Sequence, residues 1–220
     1  MNHYQHLWQD GSPGRFPTGK VVCIGRNYSD HAAELNNPVP DTPLLFIKPA
    51  TAVVHLTQPI VIPKNRGEVH FETELAILIG QRLTSTTEEN ARNAIVGYGL
   101  GLDLTLRDLQ SELKAQGHPW ERAKAFDGAC PLSPFVRAQA LDAEHLHFSL
   151  DIDGKRRQSG DTSALLNPVL PLISYISEQF TLMPGDVVLT GTPKGVGPLH
   201  SGQRLTVRLQ DVLCINTEIA

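Results

Sequence analysis

His70-Phe71-Glu72-Thr73-Glu74-Leu75-Ala76-Ile77-Leu78-Ile79-Gly80 begins as an alternation and ends as an unbroken apolar run. Period two followed by continuous Leu, Ala and Ile describes a β-strand entering a buried sheet. Residues two apart on a strand share a side, so Glu72 and Glu74 project together, roughly 6.5–7 Å apart at Cα. Downstream, YGLGLDLTL (98–106) sets Leu100, Leu102, Leu104 and Leu106 on one face and Gly101, Asp103 and Thr105 on the other. That is a second strand with one greasy side. Between the two, TSTTEENARNAIVGYG spaces Thr86 and Glu89 as a capping box and predicts a helix closed by Gly97. RDLQSELKAQG continues as a helix ending at Gly117.

Further out the pattern repeats. VVCIG (21–25) and LLFIKP (44–49) read as short strands, the latter ended by Pro49. NYSDHAAELNN between them reads as a short helix fading at Asn36 and Asn37. LHFSLDIDGKRRQSG is a hairpin turning at Asp153-Gly154. Asn167-Pro168 starts a helix toward Phe180 with Leu172, Ile173 and Ile176 as its apolar stripe. MPGDVVLTG is a turn and a strand, and QRLTVRLQ with LCINTEI forms a last hairpin around Asp211. Strands dominate and short helices interrupt them irregularly, which gives an α+β fold, mainly β, rather than a regular βαβ repeat. Residues 1–18 read as an irregular N-terminal arm and 19–220 as a single domain.

Composition narrows the function. A chain of 220 residues, 40% hydrophobic and 19% charged, folds without a staple. Its 19 basic and 23 acidic residues leave a net charge of −4, against a nucleic-acid scaffold. No apolar run is long enough to span a membrane, and the first residues lack a signal-peptide pattern. Cys23, Cys130 and Cys214 are odd in number and lack metal-ligand spacing, which fits reduced thiols and a cytoplasmic protein. GRFPTGKV (14–21) falls short of a phosphate loop: Val21 replaces the hydroxyl, and a strand follows where a helix is required. Asn27-Tyr28-Ser29 is a formal glycosylation sequon, without meaning unless the chain is secreted.

The chemistry lies in the acids. On a solvent face, water would screen Glu72 from Glu74 and nothing would follow. On an interior face their repulsion calls for a hard divalent cation. Asp103 supplies a third oxygen donor, the usual minimum for an ion that keeps open positions. Arg107 and Gln110 share a helix face just beyond, and Lys124 follows; the two cations could compensate an anionic substrate. His31 and Glu34, at i and i+3, are either an ordinary surface pair or an oriented general base. The loop GTPKGVGP (191–198) offers the Thr192 hydroxyl and backbone amides that could hold a carboxylate.

GRNYSDHAAE (25–34), FIKP (46–49), HFETELA (70–76), GLDLTLRDLQ (101–110), WERAKAFDGACPLSPF (120–135) and GDVVLTGTPKGVGP (185–198) occur in that order. Together they resemble the catalytic domain of the fumarylacetoacetate hydrolase superfamily, over about residues 20–218, in the size of its small acylpyruvase branch. The resemblance implies a mixed β-sandwich roll and a homodimer. It implies Mg²⁺ or Mn²⁺, with Ca²⁺ as a substitute in crystals, on Glu72, Glu74 and Asp103. His31 and Glu34 match a His–Glu pair on a lid helix and Lys124 the active-site lysine. Arg26, Arg107, Gln110 and Thr192 match substrate-binding positions. The substrate expected is a small anionic 2-oxo acid. The leading expectation is C–C bond hydrolysis of 2,4-dioxo acids such as fumarylpyruvate or acetylpyruvate, with Glu34 orienting His31 to activate water. Alternatives on the same residues are an oxaloacetate decarboxylase or tautomerase, or an isomerase or decarboxylase of a dioate from aromatic degradation. A non-enzymatic, ion-stabilised binding module is the alternative of another class.

Overall fold

The stretch 70–80 divides into two strands that serve different sheets, with Glu72 as the joint between them. The computed structural model describes residues 4–34 and 40–220. Its first strands are β1 (Val21–Gly25), β2 (Leu44–Lys48), β3 (Val53–His55), β4 (Val69–Phe71) and β5 (Thr73–Ile79). There follow β6 (Ile95–Leu102), β7 (Thr105–Leu106), β8 (Cys130–Leu132), β9 (Val136–Arg137) and β10 (His147–Ile152). The last are β11 (Lys155–Asp161), β12 (Val187–Leu189), β13 (Gly197–Pro198), β14 (Arg204–Leu209) and β15 (Leu213–Glu218). The α-helices are α1 (Ser29–Glu34), α2 (Glu88–Ala94), α3 (Arg107–Ala115), α4 (Glu121–Lys124) and α5 (Val169–Gln179). This is the expected α+β fold, mainly β, with few and short helices.

An eight-stranded mixed sheet runs β2-β1-β12-β5-β6-β8-β3, with β9 also paired to β6. Its β1–β12 and β3–β8 pairs are parallel. A four-stranded antiparallel sheet, β11-β10-β14-β15, packs β10 and β14 against β5 and β6. The core between them covers one face of β5, and every residue of β5 is buried. The third sheet, β13-β4-β7, is small.

The site is positioned by a corner that the sequence hides. β5 pairs with β6, Thr73 opposite Leu102, in the large sheet. One step on, β4 pairs with β7, His70 opposite Thr105, in the small sheet. Both chains therefore change sheets together, one at Glu72 and the other at Asp103-Leu104. The Asp103 N–H donates to the Glu72 carbonyl across the corner at 2.8 Å.

Several expectations are corrected. The single strand expected over 98–106 is two, β6 and β7, and its small-residue face is packed: a Cβ on Gly101 would lie 2.7 Å from a Leu189 methyl. The N-cap of α2 is Thr87, which accepts from the Asn90 N–H at 3.4 Å, not Thr86. That helix stops at Ala94, so Gly97 belongs to β6. The end of the first helix, at Asn36 and Asn37, lies outside the described residues. As expected, Lys20 leads into strand β1 and no helix follows GRFPTGKV. Asn27 is fully buried, so the folded chain could not carry a glycan there. Among the described residues no helix is long and apolar enough to cross a membrane. The described part of the arm is pinned: Trp8 bridges Phe135, and the buried His6 ring bonds the Gly185 carbonyl at 2.9 Å.

Candidate active site

The corner brings the three acids together. Glu72, Glu74 and Asp103 are 5%, 1% and 1% exposed, so the solvent-face alternative does not hold. One carboxylate oxygen from each lies within 4.8 Å of the others. Three hard oxygen donors at that separation suit a divalent cation such as Mg²⁺ or Mn²⁺.

Three cations surround them. Lys124 Nζ reaches Asp103 Oδ2 at 2.6 Å and Glu72 Oε2 at 3.0 Å. Arg107 pairs with Glu72 Oε1 and donates to Gln110 Oε1 at 2.5 Å. Lys48 Nζ lies 2.8 Å from Asp103 Oδ1, at an angle that makes the contact electrostatic rather than a hydrogen bond. It donates instead to the carbonyls of Lys124 and Ala129.

The distribution of these partners is uneven. Burial alone would raise the Glu72 carboxyl, but Lys124, Arg107 and His31 outweigh it and hold the group far below the usual range. Lys124 is likewise burdened by burial, and Asp103 and Glu72 keep it charged, with its pKa raised. Glu74 goes the other way: burial first, then Asp103 and Glu72, push its carboxyl well up. The Gly191 N–H donates to its Oε2 at 2.6 Å. Glu74 is thus the acid whose charge the protein offsets least, the place where a bound cation would relieve repulsion.

α1 brings His31 beside this group. Its Nδ1 stands 3.5 Å from Glu34 Oε2, and Nδ1 has no hydrogen-bond partner among the described residues. Burial lowers the His31 pKa and prevails over Glu72 and Glu34, which favour the charged form. The ring is therefore neutral at pH 7 and able to take a proton. The Gly195 N–H donates to both Glu34 oxygens at 3.1 Å. The loop 191–195 thus ties the acid cluster, through Gly191, to the His–Glu pair, through Gly195. Thr192 lies in the same loop, and its hydroxyl donates to the Thr73 carbonyl at 2.9 Å. That commits its proton to locating the loop on β5.

A cavity of about 140 Å³ lies over these residues, lined among others by Arg26, His31, Arg107, Gln110, Lys124 and Thr192. Drug-sized pockets run to roughly 300–1,000 Å³, so this one suits a small acid. Phe46 and Trp120 form its apolar wall.

Lys48, at the end of β2, escapes a sequence reading. The available signal is a lysine ending an otherwise apolar strand. Replacing it with methionine is expected to destabilise the metal-free protein by about 2 kcal/mol. That is less than the ~3–5 kcal/mol of a fully broken buried pair, because Lys124 still faces Asp103. Urea titration in the presence of a chelator reads this directly.

Comparison with known proteins follows the same lines. The family described as "Fumarylacetoacetate (FAA) hydrolase C-terminal" matches residues 20–220. The chain is 52% identical over 206 residues to "Oxaloacetate tautomerase YcgM" of Escherichia coli (strain K12), covering 93% of this chain and 94% of that one. It is 40% identical over 200 residues to "Oxaloacetate tautomerase FAHD1, mitochondrial" of Bos taurus, covering 90% of each. The crystal structure of fumarylpyruvate hydrolase from Pseudomonas aeruginosa in complex with Mn²⁺ and pyruvate superposes with a TM-score of 0.92. It shares 36% identity and covers 100% of this chain and 97% of that one.

Proposed function

Because the chain belongs to the fumarylacetoacetate hydrolase family, we propose that it is a divalent-metal-dependent oxaloacetate tautomerase. The observation that carries this is the near full-length likeness to proteins named for that reaction. It moves the tautomerase ahead of the acylpyruvate hydrolase that the sequence put first. The small cavity supports the same order, since hydrolysis needs room for a group beyond C4 and for a reacting water. The hydrolase stays the second reading on one observation, the likeness to the fumarylpyruvate hydrolase.

Glu72, Glu74 and Asp103 would hold Mg²⁺ or Mn²⁺. The chemistry such an ion supplies is Lewis acidity at the 2-oxo group, which acidifies the C3–H bond. The protein does the rest. Neutral His31 takes a proton from C3, and the C–H electron pair becomes the C2–C3 double bond. The 2-oxo oxygen gains a proton from the imidazolium, so no water is consumed. Glu34, held by Gly195, steadies the imidazolium while it exists. Lys124 stays protonated and compensates the acids. Arg107 fixes Gln110, which orients the substrate. Phe46 and Trp120 exclude water from one wall.

The test is to dissolve the enol form of oxaloacetate and follow its ultraviolet absorbance. The expected result is a decay accelerated by protein with Mg²⁺, lost on chelation and restored by added Mg²⁺. Parallel assays of fumarylpyruvate and acetylpyruvate should release little pyruvate. Faster pyruvate release than tautomerisation would establish the hydrolase. Loss of melting temperature on chelation, with no turnover of any 2-oxo acid, would establish a binding module.

A further inference from the structure

Gln158 is a buried polar side chain that the mechanism leaves unused. Its neighbours on β11, Lys155, Arg156, Arg157 and Ser159, are exposed, whereas Gln158 is 1% exposed. The register of the hairpin accounts for this. Leu150 faces Gln158, but the next residue, Asp151, faces Arg156, so Arg157 is an extra residue in β11. A bulge of this kind bends its strand and re-aims a side chain. Here it stands directly before Gln158, whose amide reaches both β5 and the loop 191–195.

That amide is fully engaged. Gln158 Oε1 accepts from the Thr73 N–H at 2.9 Å. Its Nε2 donates to the Thr192 hydroxyl oxygen at 2.8 Å and to the Pro193 carbonyl at 2.9 Å. A backbone N–H can only donate and a carbonyl can only accept, so these partners fix which way the amide points. The Thr192 hydroxyl closes the ring by donating to the Thr73 carbonyl at 2.9 Å. Thr73 stands between Glu72 and Glu74, so the ring grips the two peptide units that join the glutamates. The loop also rests on β11 farther along. Gly195 has φ 97°, and a Cβ there would lie 2.1 Å from the Arg157 carbonyl oxygen. Only glycine allows the loop to sit that close to the bulge.

We propose that Gln158 is a positioning residue of the active site, setting the loop 191–195 whose Gly191 N–H holds Glu74 and whose Gly195 N–H holds Glu34. One amide from the second sheet thereby fixes the acid cluster and the His–Glu pair relative to each other. This rests on the reading of the cavity as a metal-dependent active site and names what keeps its two halves in register. The alternative is that Gln158 only stabilises the β10–β11 hairpin.

Gln158→Met keeps the bulk of the side chain and removes all three hydrogen bonds. Its Mg²⁺ affinity, measured calorimetrically without substrate, is expected to fall about tenfold or more, the scale of a lost outer contact to a metal ligand. At saturating Mg²⁺ its kcat for oxaloacetate tautomerisation should fall by a similar factor, with KM little changed. Leu150→Val, directly opposite in the hairpin, is the control: it should lower the melting temperature and leave Mg²⁺ affinity and kcat as in the wild type. Wild-type Mg²⁺ affinity and kcat in folded Gln158→Met overturn the proposal, and so does an equal loss of both in Leu150→Val. If Gln158→Met does not fold, Thr192→Val cuts the ring from the loop side. Its Mg²⁺ affinity without substrate should fall in the same direction, and wild-type affinity there overturns the proposal. If Mg²⁺ affinity falls as expected in a protein that does not tautomerise oxaloacetate, the proposed function fails and the role of Gln158 stands.

Discussion

Glu74→Gln is expected to lower Mg²⁺-dependent oxaloacetate tautomerisation on the order of 10³-fold while leaving the metal-free protein at least as stable as the wild type. The rate loss corresponds to the several kcal/mol that a Lewis acid supplies to a developing enolate. The stability half is the more discriminating. Glu72 and Asp103 hold Lys124, Arg107 and Lys48, and cutting either would strand buried cations. Among the described residues Glu74 makes no ion pair, and burial, Asp103 and Glu72 push its carboxyl up more than Lys124 and the Gly191 N–H pull it down. Glutamine keeps an oxygen for the Gly191 N–H and turns an amide toward the two remaining acids. A gain of about 1 kcal/mol is expected. The sign in pH follows. A carboxyl whose folded pKa lies above its ordinary 4.5 lets the folded chain bind more protons than the unfolded chain. Metal-free wild-type stability therefore declines as pH rises from about 4.5 through the raised value, and the variant loses that decline. Melting curves across pH in chelator, with Mg²⁺ calorimetry, give both halves. A variant that is destabilised without metal, or that binds Mg²⁺ as the wild type does, would remove Glu74 from the proposed metal site.

The residues that were legible in the sequence are those whose roles are local. The hairpin at Asp153-Gly154 is one: the two-residue turn needs positive φ at both positions, and the chain adopts 50° and 75° there. The apolar stripe of α5 is another, since Leu172, Ile173 and Ile176 are all buried. What stayed illegible depends on partners remote in sequence. Thr86 and Thr87 are equally good caps on paper. Ser177 Oγ takes the Thr86 N–H at 2.8 Å, and the helix start falls to Thr87. Gly97 looked like a helix terminator, yet a Cβ there would lie 3.0 Å from the Trp8 ring, so packing by the arm asks for glycine. The largest omission is the corner. No glycine or proline marks the change of sheet at Glu72 or at Asp103, because each break is set by which strand the other is paired with. Spacing could place Glu72 and Glu74 on one side, and only the coincidence of two breaks brings Asp103 to them. Lys48 was missed for the same reason: its value lies in facing Asp103, 55 positions away in the numbering of the same chain.

His31 carries the other large effect. His31→Ala is expected to reduce kcat about 10²-fold or more, the scale of a lost general base, with a smaller change in KM. The imidazole is available as a base because burial depresses its pKa below 6.5, so most of it is neutral at pH 7. The sign is that activity falls on the acid side, as protonation of His31 removes the base. The acid limb of the kcat/KM profile should therefore lie below pH 6.5 and vanish in His31→Ala. Glu34→Gln keeps an oxygen for the Gly195 N–H but removes the charge that favours the imidazolium. Its expected loss is intermediate, about tenfold, with the acid limb moved to lower pH. Solvent deuterium exchange at C3 of oxaloacetate, followed by proton NMR, watches the C–H bond itself. If His31 takes that proton, exchange and tautomerisation slow together in His31→Ala. If α1 merely closes the cavity, the two variants would raise KM and leave the acid limb where it is in the wild type, and the base would have to be sought elsewhere in the cavity.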